Sequence, residues 1–357
     1  MREGLIDLDG SRGEGGGQIV RTSLALSIIT GRPFAMHHIR AGRAKPGLRR
    51  QHLTCVEAAA ALCGAKLRGA KLGSQELVFE PAPTTPPPAI VIDIGTAGST
   101  SLVIQTILVP AIAAGRPLRA TVIGGTHNPM APPFDFLDRV FVPHLRAMGA
   151  DVTLSLDRHG FATGGAHRDS HDEVTSDRGQ VVMEVRPGAL RPLEIVDASP
   201  ITARRAVAIL ARLPTHVADR ELAIVRARLG LTVAECEVRE VREGGPANVL
   251  LLEVERAGGN GHPCRELVTA FGERGLRAEL VAQRACDELA AFLAADVPVG
   301  EHLADQLLLP MAVAGGGRFR TVPLSLHATT NIDTIAVFLD VPIRVESAAG
   351  SAVVTVG

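Results

Sequence analysis

Glu14 is the one carboxylate inside a run in which Gly10, Gly13, Gly15, Gly16 and Gly17 fill five of eight positions. Glycine is kept where φ must be positive or where another group approaches the main chain closely. A glycine-rich turn that leads into a helix offers free backbone N–H groups and the positive end of a dipole, which suits phosphate. A carboxylate in that turn is placed to hold a divalent cation between protein and phosphate oxygens. The plainer alternative is a flexible turn with Glu14 capping the helix. Gln18 and Arg21 follow in the first helical turn, and Arg40, Arg43, Lys45 and Arg49 form a basic loop further on. Guanidinium forks fit phosphate oxygens, and such a loop serves nucleotide phosphates or an RNA backbone equally well.

The elements that must position these residues repeat along the chain. Leu5 to Leu8 reads as a strand, Ile19 to Thr30 as a helix stopped by Gly31, Phe34 to Ile39 as a strand and Gln51 to Leu62 as a second helix. The layout recurs from Ile90, with an apolar helix stopped by Gly115, a strand from Leu118 to Ile123 and a helix over Phe134 to Met148. It recurs again from Pro298, with a helix stopped by Gly315, a strand over Arg318 to Val322 and a helix after Thr330. Ten residues before the three stop glycines stand Arg21, Gln105 and Asp305; twelve residues after them stand Arg43, His127 and His327. Packing of the units about a pseudo-threefold axis would bring these six polar groups to one end.

Between the second and third units, 168–180 reads as a charged exposed loop. Ala198 to Val297 reads as a separate alternation, with a helix over Ala218 to Leu229, strands at Val233 to Val241 and Asn248 to Arg256, a helix over Arg277 to Ala295, and turns at Gly244 to Pro246 and Gly258 to His262. The fold class expected is therefore α/β (α+β): three repeated α/β units forming a large domain over 1–197 and 298–357, with a smaller inserted α/β domain over 198–297.

The chain of 357 residues is 46% apolar with a formal net charge of -1, so affinity for nucleic acid must come from local basic clusters. No apolar run is long enough to span a bilayer, and Met1 to Gly10 lacks a signal-peptide pattern, so the chain is expected to be cytoplasmic and without a membrane partner. Five dispersed cysteines without CxxC spacing point to reduced packing residues, neither a disulfide framework nor a zinc site. Trp and Tyr are absent, which leaves Phe, His, Arg and Pro to stack on a base.

The segment Asp9 to Arg21, the loop Ile39 to Leu48 with Gln51 and His52, the loop Gly124 to Pro133, the run Leu303 to Gln306, and His327 with Thr330 and Asn331 together resemble the RNA 3′-terminal phosphate cyclases. The resemblance runs from about Leu5 to Ile343. It implies three repeated α/β units with a smaller inserted domain, and an enzyme of the nucleotidyl-transferring ligase type. Such an enzyme uses ATP and Mg²⁺ or Mn²⁺ to convert an RNA 3′-phosphate end to a 2′,3′-cyclic phosphate, through an adenylyl-histidine and an RNA adenylate. By the same resemblance His327 is the nucleophile, with Arg21 and Arg43 as catalytic partners and Glu14 as the metal ligand. Gly13, Gly15, Gly16, Gln18, Arg40 and Gln51 contact the nucleotide, Pro133 and Asp135 flank adenine, and Asp305 and Gln306 lie close by; the helix register, not the resemblance, adds Gln105 as a nucleotide contact. His302 stands where the family commonly has a stacking tyrosine. His52 is either a phosphate contact or a helix cap, and His127 either a substrate or a structural contact. The resemblance leaves the oligomeric state open, a homodimer included.

Two further readings compete. A non-catalytic branch of the same superfamily serves as an RNA or ribosome-assembly binding protein, but its members lack the nucleophile. An enolpyruvyl-transferase-like enzyme shares a repeated α/β architecture without the adenylylation motifs. A P-loop enzyme is excluded, since no GxxxxGK[ST] occurs in the chain.

Overall fold

The computed structural model describes residues 4–161, 167–168, 174–175, 178–258 and 263–357. The first unit comprises β1 (Ile6–Asp9), α1 (Gln18–Thr30), β2 (Phe34–His37), α2 (Arg50–Cys63), β3 (Lys66–Arg68) and β4 (Leu77–Glu80). The second comprises β5 (Ala89–Asp93), α3 (Thr100–Ala113), β6 (Leu118–Gly124), α4 (Phe134–Phe136), α5 (Val142–Ala147), β7 (Asp151–Arg158), the short pair β8 (His167–Arg168) and β9 (Val174–Thr175), and β10 (Gly179–Arg186). The third begins with β11 (Glu194–Ile195) and is then interrupted by β12 (Ile201–Ala211), α6 (His216–Leu229), β13 (Cys236–Val241), β14 (Ala247–Arg256), β15 (Cys264–Phe271) and α7 (Ala278–Ala295). It resumes with α8 (Glu301–Val313), β16 (Gly317–Thr321), α9 (Leu326–Phe338), β17 (Ile343–Ala348) and β18 (Ser351–Val356).

The three units share one topology. Their sheets run β1-β2-β4-β3, β5-β6-β10-β7 and β11-β16-β18-β17, each with a parallel first pair and antiparallel partners after it. The three stop glycines lie in the left-handed region, with φ of 70° at Gly31, 63° at Gly115 and 73° at Gly315, as a helix C-terminus requires. Pro110 and Pro310 also stand at the same place in α3 and α8, five residues before those glycines. Buried residues of all three units form one continuous core in which α1 packs on α3 and α9, and α8 packs on α9.

The interrupting elements form a fourth sheet, β13-β12-β14-β15. Alternation along its strands divides it cleanly: Ala206, Ala208, Leu210, Leu250 and Leu252 face α6 and α7, while Val207, Ile209, Val249 and Leu251 join the core of the main body. Glu266 of β15 reaches back into the third unit, its Oε2 accepting the N–H of Gly300 at 3.0 Å at the start of α8. Burial raises this carboxyl to about 7.

Several sequence expectations are corrected here. α9 starts at Leu326, not after Thr330, because Ser325 caps it by accepting the N–H of Ala328; His327 therefore sits in its first turn. Val233 to Glu235 is a 3₁₀ turn closed by a Thr232–Glu235 capping box, and the strand begins only at Cys236. The helix over Phe134 to Met148 ends at Ala147 and carries a π-turn at Leu137–Phe141. Within 168–180, Arg168 pairs through β8 with β9, and Gly179 and Gln180 belong to β10; residues 169–173 and 176–177, and 259–262 of the expected turn, lie outside the described residues. Strands β3, β4, β7, β11, β12, β15, β17 and β18, and β10 beyond Gln180, had no sequence reading.

Candidate active site

Gln18 opens α1, and its side chain joins the first unit to the third. Its Nε2 donates to Asp305 Oδ1 at 2.5 Å, which leaves Oε1 as the acceptor facing His327 Nδ1 at 2.6 Å. His327 must therefore carry its proton on Nδ1, and Nε2 keeps a free lone pair. That Nε2 lies 4.0 Å from Glu14 Oε1. Burial is the main reason the imidazole pKa falls below its usual value; Asp305 opposes the shift, while Arg21 and Arg43 add to it. The ring is thus neutral at pH 7.

Asp305 is held from behind. Asn331 Nδ2 donates to its Oδ1 and to its backbone carbonyl, both at 3.1 Å, and Thr22 Oγ1 donates to Asn331 Oδ1 at 2.9 Å. Burial raises the Asp305 pKa, against the bonds from Gln18 and Asn331 and the charges of His327 and Arg21. Thr22 and Asn331 were given no role by sequence reasoning, yet the signal was there. Gln18 and Thr22 are four apart on α1, as are His327 and Asn331 on α9, and residues at that spacing share a helix face.

The glycine turn is shaped by what approaches it. At Gly13, φ is 57° and a Cβ would collide with Thr330, whose Oγ1 accepts the N–H of Glu14 at 2.9 Å. At Gly16 a Cβ would collide with the Glu14 carboxylate, which folds back over the turn. Glu14 Oε1 is paired with Arg43, and Oε2 is buried with no hydrogen-bond partner among the described residues. A buried carboxylate oxygen left in that state is a hard donor of the kind Mg²⁺ and Mn²⁺ take. Gly15 completes the turn, its N–H donating to Arg12 O at 2.9 Å.

The three helix residues in equivalent register, Arg21, Gln105 and Asp305, do converge. They line one cavity of about 60 Å³ together with Gln18, Thr22, Gln306 and Asn331. Ligand pockets for whole nucleotides run to several hundred Å³, so this space suits one small polar group. Among the described residues the Arg21 guanidinium makes no hydrogen bond or ion pair, and Gln306 Oε1 is a buried acceptor without a donor. Burial pushes the Arg21 pKa below its usual value. Of the loop positions in equivalent register, His327 joins this cluster through Gln18, and Arg43 lies next to His327 through Glu14.

His127 does not. Its loop is drawn onto the second unit, where Gly160 O accepts the N–H groups of Thr126 and His127. The ring is fully buried between Thr126 Oγ1 and Asp135 Oδ2, each 2.8 Å away. Asp135 also faces Arg239 at 3.4 Å, so both its oxygens are engaged. His127 and Arg239 overcome the burial cost and hold its carboxyl below the usual range. Among the described residues lining the cavity, Pro133, Asp135 and His302 are not included. Pro133 caps α4, and His302 is exposed at the start of α8 with its ring edge-to-face on Phe136.

Three more predicted residues prove to organise loops. Arg40 Nη1 donates to Lys45 O and Gly47 O, stapling the basic loop around its own left-handed φ of 55°. Gln51 Oε1 accepts the N–H of Ser99 at 2.9 Å, fixing the entrance of α3. His52 Nδ1 accepts the N–H of Arg49 at 3.2 Å and so caps α2, while its Nε2 lies against Gly17. Burial first, then Arg21, Arg40 and Arg49, lower the His52 pKa to about 3.

That shift predicts a pH effect on stability. The unfolded chain takes a proton on His52 near pH 6.5 and the folded chain only near 3, so stability falls as pH drops below about 6.5. At pH 5 the His52 contribution is about 2 kcal/mol. Urea unfolding at pH 7 and pH 5 should therefore show a smaller acid loss in His52→Asn than in the parent chain. Parallel losses would contradict the buried neutral imidazole.

No helix among the described residues is long and apolar enough to cross a membrane. The family model for RNA 3′-terminal phosphate cyclase matches residues 12–345. A relative from Ectopseudomonas mendocina named RNA 3′-terminal phosphate cyclase is 46% identical over 351 residues, covering 96% of this chain and 95% of its own. Relatives of the same name from Koribacter versatilis and Pseudomonas fluorescens are 44% and 45% identical, covering 96% and 97% of this chain and 92% and 95% of theirs. With a match that spans both the glycine turn and the His327 helix, the chain belongs to the RNA 3′-terminal phosphate cyclase family.

Proposed function

We propose that this chain converts RNA 3′-phosphate ends to 2′,3′-cyclic phosphates at the expense of ATP, with His327 as the nucleophile. The observation that carries the reading is the His327 ring itself: neutral, with its proton pinned on Nδ1 by Gln18 and Nε2 left free. In the first step Nε2 attacks the α-phosphorus of ATP; an N–P bond forms, the bond to the bridging oxygen breaks, and pyrophosphate leaves with the electron pair. As Nε2 becomes bonded the ring gains positive charge, which the Gln18–Asp305 chain stabilises. In the second step a 3′-phosphate oxygen of the RNA attacks the same phosphorus and the N–P pair returns to Nε2. In the third the neighbouring 2′-hydroxyl, losing its proton to solvent, attacks the terminal phosphorus and AMP leaves.

Arg21 and Arg43 are the cations for phosphate oxygens whose charge rises during transfer. Glu14 would hold Mg²⁺ or Mn²⁺, which supplies charge neutralisation at the triphosphate when bound. The basic loop of Arg40, Arg43, Lys45 and Arg49 is suited to the RNA backbone. Five free cysteines are in keeping with work in a reducing compartment, the cytoplasm.

The test is to charge the chain with α-labelled ATP and Mn²⁺, remove free nucleotide, and add an oligoribonucleotide ending in 3′-phosphate. Label should move to the RNA and then leave as AMP, with the RNA end becoming resistant to phosphatase. Label that stays on the protein, or a 3′ end that remains open to phosphatase, would overturn the reading.

A further inference from the structure

Asp9, His37 and His38 lie outside the machinery above, at the C-terminal ends of β1 and β2. These strands are parallel neighbours in which Asp9 is the register partner of His37. In a regular strand, successive side chains point to opposite faces, so His37 and His38 would diverge. His38 instead takes a left-handed φ of 53°, uncommon for a residue other than glycine. This turn swings its ring back toward its neighbour: the two imidazole centroids are 4.7 Å apart, edge to face. His38 Nδ1 lies 3.3 Å from Asp9 Oδ1, and one donor atom from each of the three residues falls within 4.8 Å of the others.

We propose that Asp9, His37 and His38 form a binding site for a late first-row divalent cation of the Zn²⁺ class, separate from the Glu14 position. Two imidazoles and one carboxylate are the donor set of Zn²⁺, Co²⁺ and Ni²⁺, whereas Mg²⁺ and Ca²⁺ favour oxygen ligands. Donors bound at about 2.0–2.2 Å from one ion lie up to about 4 Å apart, so the three groups need close by less than an ångström or so. The carboxylate is already oriented, since Asp9 Oδ1 accepts both the backbone N–H and the hydroxyl of Ser11, at 3.0 and 2.7 Å. His37 has its own partner, Asp7 Oδ1 at 3.4 Å from Nδ1, of the type that fixes a ligating ring. His38 is exposed, which gives an ion a route in and leaves its remaining positions to solvent. Asp9 begins the glycine turn and His38 begins the basic loop, so the bound ion ties together the roots of the two segments that carry Glu14 and Arg43.

The experiment uses the full chain without an affinity tag, stripped with chelator and dialysed against Zn²⁺, with metal content and thermal unfolding read out and Co²⁺ as the spectroscopic probe. The expected result is one Zn²⁺ per chain, a raised unfolding midpoint, and Co²⁺ d–d bands without a thiolate charge-transfer band. His37→Ala and His38→Ala should each weaken binding by at least about 10–100-fold, the loss known for disturbing even the outer partners of a metal site. Glu14→Ala should retain it. Absence of bound Zn²⁺, a thiolate band, or stoichiometry and affinity unchanged in both histidine variants would overturn the proposal.

Discussion

Alanine at position 327 is expected to abolish covalent labelling by α-labelled ATP and to lower RNA-end cyclisation by at least about 10⁴-fold, the scale on which removal of a catalytic nucleophile acts. Stability should hardly change, because the ring sits on the first turn of α9 with its side chain 54% exposed and, among the described residues, a single hydrogen bond, to Gln18. Labelling that persists in His327→Ala would place the nucleophile elsewhere. A companion substitution, Gln18→Leu, keeps the nucleophile and removes the acceptor that pins its tautomer. It should slow labelling without abolishing it, and an unchanged rate would mean that the Gln18 contact has no part in catalysis. The acid limb of labelling should lie below the ordinary imidazole pKa of about 6.5, because burial and the nearby guanidinium groups disfavour the protonated ring. Lowering the pH through that limb protonates Nε2 and removes the lone pair.

Arg21→Met is expected to move activity and stability in opposite directions. In the free protein Arg21 is half-buried, and its guanidinium makes no hydrogen bond or ion pair among the described residues. Burying a charge without a partner is costly, and replacing it by an apolar side chain of similar length removes the cost. The thermal midpoint of the free chain should therefore hold or rise. Labelling by ATP should fall by about 10²–10³-fold, as for other single donors aimed at developing charge, and stabilisation by added nucleotide should shrink with it. Asp305 keeps its bonds from Gln18 and Asn331 in this variant, so the chain behind His327 survives. A lower midpoint together with unchanged labelling would show a structural residue.

Much of this was legible because repetition supplied an internal standard. Gly31, Gly115 and Gly315 end equivalent helices, so counting back from each located Arg21, Gln105 and Asp305 on equivalent turns, and those turns face one cavity. Counting forward was less secure. The residues after each glycine pass through a strand and into a loop whose path depends on its neighbours, and the His127 loop is held by Gly160 while the Arg43 loop meets Glu14. Strand β12 escaped notice because its first half alternates little and its second half is an unbroken apolar run, buried on both faces. The start of α9 was misjudged because Ser325 caps it through a single hydrogen bond, with no acidic residue in the first turn to announce it. Thr330 shows a different limit: its bond to the Glu14 N–H joins residues 316 apart, and no local pattern carries that information.

The contact between Gln18 and His327 spans 309 residues, and this has a consequence for biosynthesis. Gln18, Glu14 and Arg21 leave the ribosome well before His327, which emerges only after the whole interrupting sheet has been made. Contacts of such separation form late, once the intervening chain has collapsed. A nascent or truncated chain that ends before α9 has the cations that attract a triphosphate but nothing with which to attack it. On the proposed mechanism the enzyme acquires its reactive group only as the three units close on one another, and appearance of labelled histidine during refolding would time that closure.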